Sequence, residues 1–548
     1  MTPAAPSAAS PASLRRAASW KKLAETSWDL LIVGGGITGA GILREAVRHG
    51  LSAALVERRD FAWGTSSRSS KLVHGGLRYL AQGRIGLTRD SVRERERLVA
   101  EGPGLVSRLG FLMASYDGEG PSPLLLRSAL TVYDLLALSW SHRRYSSEDL
   151  LLLAPRLLGK GLEGGFRYGD AQTDDARLVW RVIADASRAG GLALNDAPVE
   201  ELVLSDGRVT GAVVRDALSG TTARVAAKVV VNATGVWADG MRARVGGEPR
   251  LRPLRGSHLV FPAWRVPVAQ AVCFPHPRDA RPVFIFPWEG TTLVGTTDVD
   301  HDAPLDEEPS ISPEETAYLL EAVSGRLPGL SIGPSDVIAT YSGVRPVVGT
   351  GKANPSEESR EHVIWDERGL LTVTGGKLTT FRLIALDALK AARERLPGHA
   401  RLDRHARVLD AVDPSALDHV PLPPESRLRL LGRHGADATA VVAAARRTEL
   451  QKVPGTSVLW AELRLAARQE AVSHLDDLLL RRTRLGLLLP EGAREHLPEV
   501  AALCREELGW DAARWEREAA RYAETLRRCY GVPPAAILPE TATAANEA

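Results

Sequence analysis

Cysteine is scarce in this chain. Its 548 residues include Cys273, Cys504 and Cys529 and no CxxC pair. That argues against a disulfide framework or a Cys-rich zinc site, fits a reducing compartment, and makes each thiol a small buried hydrophobe by expectation. An excess of one charge is also missing. Lys plus Arg is 69 against 67 for Asp plus Glu, a formal net charge of +2, which disfavours a protein built to coat nucleic acid. No apolar run is long enough to span a bilayer. The longest, residues 124–140, is broken by Arg127 and Asp134. It falls short of the ~20 residues required, and each central charge adds about 2.5–3.5 kcal/mol to insertion. A core helix is the expectation there. The alternative is a helix lying on a membrane surface, assisted by His142, Arg143 and Arg144. The first 24 residues contain no Asp or Glu and no apolar stretch of the secretory kind. A disordered tail is expected over residues 1–26, with a short presequence as the alternative.

What is present is ordinary globular composition: 44% hydrophobic and 25% charged. The length corresponds to between three and four units of about 150 residues. The clearest local pattern lies at residues 28–57. An apolar run, Asp29-Leu30-Leu31-Ile32-Val33, predicts a buried parallel strand, broken by Gly34-Gly35-Gly36. Helical spacing follows to His49, Gly50 stops it, and a second run ends at Glu57. Gly34-x-Gly36-x-x-Gly39 therefore sits between a strand and a helix. The first glycine permits the tight turn, the second lets backbone approach a pyrophosphate, and the third allows close helix–strand packing. The amides at Ile37 and Thr38 and the helix dipole then face phosphate. Glu57, 21 residues after Gly36, is placed to accept hydrogen bonds from a ribose diol. Spacing alone does not separate NAD from FAD.

Further along, strand-like and helical pieces alternate. Beyond Pro397 the periodicity becomes helical, so a boundary is expected near residues 398–420. No internal repeat is visible.

Several segments recur in a recognisable order. They begin with Thr65-Ser66-Ser67-x-x-Ser70-Lys71-Leu72-Val73-His74-Gly75-Gly76-Leu77-Arg78-Tyr79-Leu80 and Tyr168-x-Asp170. Asp174-Asp175-Ala176-Arg177-Leu178 and Asn232-Ala233-Thr234-Gly235-x-Trp237 follow. Arg255-Gly256-Ser257-His258, Gly295-Thr296-Thr297-Asp298 and Tyr341-Ser342-Gly343-Val344-Arg345-Pro346 come next, then Gly375-Gly376-Lys377-Leu378-Thr379-Thr380. Leu475-Asp476-Asp477 and Arg481-Arg482-Thr483-Arg484-Leu485-Gly486 close the series. Over about residues 27 to 530 this pattern resembles the FAD-dependent glycerol-3-phosphate dehydrogenases, of the D-amino-acid-oxidase-like flavoproteins. The resemblance implies an α/β fold: a Rossmann-like FAD-binding domain interleaved with a mixed-sheet substrate domain, plus an all-α C-terminal domain. The implied spans are a tail over 1–26, interleaved domains over 27–400 with substrate segments at about 81–165 and 250–335, a helical domain over 401–535, and a tail over 536–548. The implied reaction is oxidation of sn-glycerol 3-phosphate to dihydroxyacetone phosphate, with electrons passing to membrane quinone, or to oxygen in some relatives. Peripheral attachment to the cytoplasmic face of the membrane goes with it. A homodimer stays open, and no nucleic acid is expected.

The resemblance also assigns residues. Arg345 and Lys377 are expected in the active site, with Arg360, Arg78 and Tyr79 at the substrate. Arginine suits phosphate because its planar fork binds two oxygens at once. His74 and His258 are both candidates for the base that takes the 2-hydroxyl proton. FAD contacts are expected from Gly34, Gly36, Ile37, Thr38, Gly39, Glu57 and Arg58, and from the segment Thr65, Ser66, Ser67, Lys71, Leu72, His74, Gly75 and Gly76. Val199, Ala233, Thr234, Gly235, Trp237, Gly343, Gly376, Lys377, Leu378 and Thr379 complete the cofactor set. No metal is expected, because Asp476-Asp477 beside His474 lacks a full ligand set. Residues 481–484 and 89–97 are expected as solvated helix faces. The competing readings are an amine or amino-acid oxidase of the same fold, a tRNA-modifying flavoprotein, and a non-catalytic FAD module.

Overall fold

The computed structural model describes residues 11–81, 83–120, 122–351, 358, 361–397, 402–446 and 448–534. Helix α1 (Pro11–Glu25) precedes strand β1 (Trp28–Val33), helix α2 (Ile37–Arg48) and strand β2 (Ala53–Val56). The loose tail expected through residue 26 is therefore helical from Pro11. Leu23 is buried, Arg16 pairs with Asp216 at 2.7 Å, and the Trp28 indole donates to the Leu23 carbonyl.

β1 lies between β2 and the strand Thr222–Asn232, parallel to both, with Leu30 opposite Ala53 and Val229. Helices cover both faces of such a strand, so its residues form a continuous apolar run instead of alternating. Leu30, Leu31 and Ile32 have no exposed surface. The strands Leu370–Gly375 and Leu192–Leu194 extend the sheet on either side. It therefore gathers segments from residues 28 to 375 into one dinucleotide-type layer. Helix Phe381–Ala392 packs on α2, and Gly41 makes the contact: a Cβ there would lie 2.8 Å from the Phe381 ring.

A second, ten-stranded sheet is mixed. Its centre runs through Leu251–Pro262, Thr291–Gly295, Pro282–Trp288, Ala271–Pro275, Val106–Tyr116 and Leu162–Thr173. Ala271–Pro275 runs parallel to Val106–Tyr116, while Ala339–Val348 pairs antiparallel with Leu251–Pro262 over ten residues. Among the described residues beyond 402, only an isolated bridge, Lys452 with Leu459, interrupts a helical array. Its apolar core includes Leu478, Leu479, Val500 and Cys504.

Two surface expectations are revised here. Helix Ile85–Glu101 is not simply exposed: Arg95 is buried against Asp170 at 2.6 Å and Glu94 against Arg382 at 2.6 Å. Helix Pro123–Ala137 is not a core helix. It buries Leu126, Leu130 and Tyr133 on one face but leaves Leu124 74%, Leu125 61% and Leu135 61% exposed. All three cysteines are buried thiols.

Candidate active site

The carboxyl ends of β1 and of Thr222–Asn232 meet at one turn. Gly34 adopts φ +117°, and a Cβ there would sit 2.4 Å from the Ala233 carbonyl oxygen. Only a glycine fits such a left-handed close approach. Gly39 lets α2 begin hard against β1, since its Cβ would fall 1.9 Å from the Gly34 carbonyl oxygen. Gly36 is the N-cap and offers no side chain of its own to cap the helix. The Ile37 amide donates to Ser66 Oγ at 3.0 Å; Thr38 lies in the same first turn. At the end of β2, Glu57 accepts from the Gly35 amide at 2.6 Å and the Arg59 amide at 2.9 Å, and burial raises its carboxyl pKa. A helix N-terminus with glycine at its N-cap, a carboxylate at the neighbouring strand end and a serine hydroxyl between them fit a pyrophosphate and a ribose diol.

The flanking loops are anchored in turn. The Ala233 amide donates to the Val33 carbonyl, and the Thr234 hydroxyl to Asn232 Oδ1 at 2.7 Å. Gly235 has φ +61°, and the Trp237 indole donates to the Leu305 carbonyl. Arg58 lies 5.1 Å over the Trp237 ring and pairs with Asp306 at 2.7 Å. Val199 is buried in the apolar cluster that holds Val33 and Val56.

Against the second sheet lies a cavity of about 1010 Å³, large enough for a ring system together with a small substrate. Thr65, Leu72, His74, Gly76 and Tyr79 form one wall. Gly343 and Arg345 come from the strand Ala339–Val348, and Gly376, Lys377, Leu378 and Thr379 from the turn before helix Phe381–Ala392. The Thr65 hydroxyl donates to the Val344 carbonyl, and the Thr379 hydroxyl bridges the amide and carbonyl of His74. Lys377 Nζ sits 3.6 Å over the Tyr79 ring and 3.1 Å from Ser91 Oγ. Gly75 lies one layer behind, its amide donating to Asp170 Oδ1 and to the Tyr133 hydroxyl.

Arg345 is half-buried. Its Nη1 donates to Asp298 Oδ1 at 2.8 Å and its Nη2 to Thr296 Oγ1 at 3.1 Å. Gly256 makes room for it, because a Cβ there would clash with the guanidinium at 2.2 Å. His258 is different. It is 1% exposed, stacks on Tyr341 at 4.7 Å and touches Ser70 Oγ through Nε2 at 2.9 Å. Burial, with Arg345 and Lys71 nearby, pushes its pKa well below 6.5. The imidazole is thus neutral and meets the cavity through Ser70.

Not every expected residue is brought together. The Lys71 ammonium is fully buried against Asp175 at 3.1 Å, under the rings of Trp288 and Tyr341, and its side chain turns away from the cavity. Ser67 is buried, with its carbonyl accepting from Lys71. Arg360 and the Arg78 side chain lie outside the described residues. Four contributors had no role assigned from sequence: Ser70, Asp170, Thr296 and Asp298. All four stand inside the recurring motifs, so the signal was present without the geometry that gives it meaning. The solvated face expected at residues 481–484 is a buried ion-pair cluster. Asp476 and Asp477 hold Arg481, and no group that could ligate a metal is found among the described residues.

Comparison with known proteins agrees with this geometry. Residues 29–382 match the family model described as FAD dependent oxidoreductase, and residues 394–515 match the C-terminal domain of alpha-glycerophosphate oxidase. Glycerol-3-phosphate dehydrogenase 2 of Mycobacterium tuberculosis is 34% identical over 530 residues, covering 93% of this chain and 89% of that protein. The aerobic glycerol-3-phosphate dehydrogenase of Bacillus subtilis is 37% identical over 397 residues, 71% of each chain. The glycerol-3-phosphate dehydrogenase from Bacillus halodurans, solved in complex with FAD, superposes with a TM-score of 0.79 at 28% identity, covering 96% of this chain and 99% of that one. The chain belongs to the FAD dependent oxidoreductases and, within them, to the glycerol-3-phosphate dehydrogenase family.

Proposed function

We infer that this enzyme oxidises sn-glycerol 3-phosphate to dihydroxyacetone phosphate. One observation carries the reading: Arg345 and Lys377, from different elements, reach one cavity that holds His74 in its wall and is lined by Thr65, the neighbour of the serine that accepts the first α2 amide. Two fixed cations on the wall of one cavity suit a phosphomonoester better than an amine. Glu57 is suited to the adenosine ribose, the start of α2 to the pyrophosphate, and the segments at 65–76 and 376–379 to the ring. FAD, when bound, supplies the two-electron oxidising power and receives the hydride from C2.

The chain's own residues do the rest. Arg345, oriented by Asp298 and Thr296, and Lys377, oriented by Ser91, grip the phosphate and so fix C2 in place. The 2-hydroxyl proton has two routes. His74 lines the cavity itself, whereas His258 is reached through the Ser70 hydroxyl. Burial, with Arg345 and Lys71 adding to it, keeps the His258 ring in the proton-accepting form.

Electrons leave to membrane quinone. The exposed apolar face of helix Pro123–Ala137 and the turn after it support a peripheral membrane position, because Leu124 and Leu135 on the helix and Leu138 and Trp140 beyond it stand outward while Leu125 also lines the cavity. Among the described residues no helix is long and apolar enough to cross a membrane.

Anaerobic bleaching of the flavin tests the substrate. Glycerol 3-phosphate is expected to bleach it and a panel of amines is not; the reverse outcome sinks the reading. Reoxidation by quinone against oxygen then separates a dehydrogenase from an oxidase.

A further inference from the structure

The C-terminal domain reaches back to the dinucleotide turn through three buried arginines. Arg481 Nε and Arg482 Nη1 donate to Asp60 Oδ2 at 2.5 and 2.8 Å, and Arg482 Nη2 donates to Asp60 Oδ1 at 2.6 Å. Asp60 is 3% exposed, and its loop folds straight onto the turn: the Ala62 amide donates to the Gly35 carbonyl while Glu57 accepts from the Gly35 amide. Arg484 serves the second loop. Its Nη2 donates to the Ser67 carbonyl at 3.2 Å and pairs with Asp175, and its Nε donates to Asp174 at 2.9 Å. Ser67 follows Ser66, whose hydroxyl accepts the Ile37 amide at the start of α2. Both loops beside the first turn of α2 are therefore held by one short segment more than 400 residues away.

Elsewhere the arginines have further partners, although Arg481 Nη1 is buried without a hydrogen-bond partner. Arg481 is shared with Asp476 and Asp477, and Arg482 Nε donates to the Glu470 carbonyl. A buried ion-pair cluster of this kind keeps its geometry, because removing one partner strands a charge in the interior.

We propose that Arg481, Arg482 and Arg484 are positioning residues for FAD: a clamp by which the C-terminal domain fixes both flavin loops and slows flavin release. The clamp rests on the reading of the α2 turn as the FAD site. Linkage then requires the reciprocal effect, in which bound flavin stabilises the docked C-terminal domain.

The test uses holoenzyme variants Asp60→Asn, Arg482→Lys and Arg482→Ala. The control is Arg464→Lys, another buried C-terminal arginine, paired with Glu449 at 2.6 Å and Glu507 at 2.5 Å. Flavin release is followed by fluorescence after dilution. Asp60→Asn and Arg482→Ala are expected to release FAD about tenfold faster than the parent, with Arg482→Lys between them. Arg464→Lys is expected at the parental rate. Excess FAD should restore both Tm and turnover in the clamp variants. Parental release rates in folded Asp60→Asn and Arg482→Lys overturn the clamp, and so does equally fast release from Arg464→Lys. If Arg482→Ala fails to fold, those two variants and the control decide. A parent chain that binds no FAD overturns the flavin reading itself, which is a separate outcome.

Discussion

Arg345 and Arg484 are both arginines held by aspartate, yet they stand in opposite situations. Arg345 is half-buried at the wall of an open cavity, beside Asp298. Arg484 is 1% exposed and locked between Asp174 and Asp175. The guanidinium group is the same in both. Access to the cavity makes the first suited to a ligand, and enclosure by carboxylates makes the second part of the frame.

The largest expected effect breaks the enclosed side. Arg484→Ala leaves Lys71 as the cation paired with Asp175 and takes one of two arginines from Asp174, and a chemical or thermal melt should show a loss of about 3–5 kcal/mol. Arg433 still holds Asp174 at 2.7 Å, which keeps the loss toward the lower end. On the open side, Arg345→Ala should lower kcat/KM about 10²–10³-fold while the protein stays yellow, checked by steady-state kinetics with the flavin quantified. Unchanged kcat/KM in a flavin-replete variant would remove Arg345 from the site.

Acid sharpens the contrast further. Burial alone would raise the Glu470 carboxyl pKa, but Arg177 and His434 bring it down to about 2 from 4.5. Asp476 is likewise held to about 2 from 3.8, by Arg481 and Arg521 against its burial. A depressed carboxyl contributes stability that is present above the unfolded pKa and lost as pH falls through the folded one. Tm should therefore drop steeply between about pH 4.5 and 2, with each group worth about 2–3 kcal/mol. A flat profile there would contradict the enclosed cluster. The smallest effect belongs to a solvated pair. Arg494 and Glu491, 75% and 63% exposed, should contribute within about 0.5 kcal/mol when Arg494 is changed to alanine.

Much of this architecture was legible from residues alone. The strand, turn, helix and acid at 28–57 carry their own signature, because a tight turn, a close backbone approach and a paired strand each demand a particular residue type. Motif order singled out Arg345 and Lys377, and both line the cavity. Solvation was not legible. Arg481-Arg482-Thr483-Arg484 has the composition of a wet helix face, and only the distant Asp60, Asp174 and Asp175 reveal it as interior. The same blindness placed helix Pro123–Ala137 in the core, since apolar content says nothing about which face has a partner. Helix α1 was missed for a related reason: its sequence looks loose until Asp216 and the Trp28 indole are set beside it.

The span between Asp60 and its arginines has a consequence for the order of events during synthesis. The Asp60 loop leaves the ribosome 421 residues before Arg481. At about 5–20 residues per second that interval is roughly 20–80 s. Throughout it Asp60 lacks both of its arginine partners, so by the proposed clamp the loop is fixed only when the far end of the chain arrives. Under that clamp, cofactor loading is the closing act of biosynthesis, because a chain cut short before residue 481 lacks the arginines that hold the loops at Asp60 and Ser67.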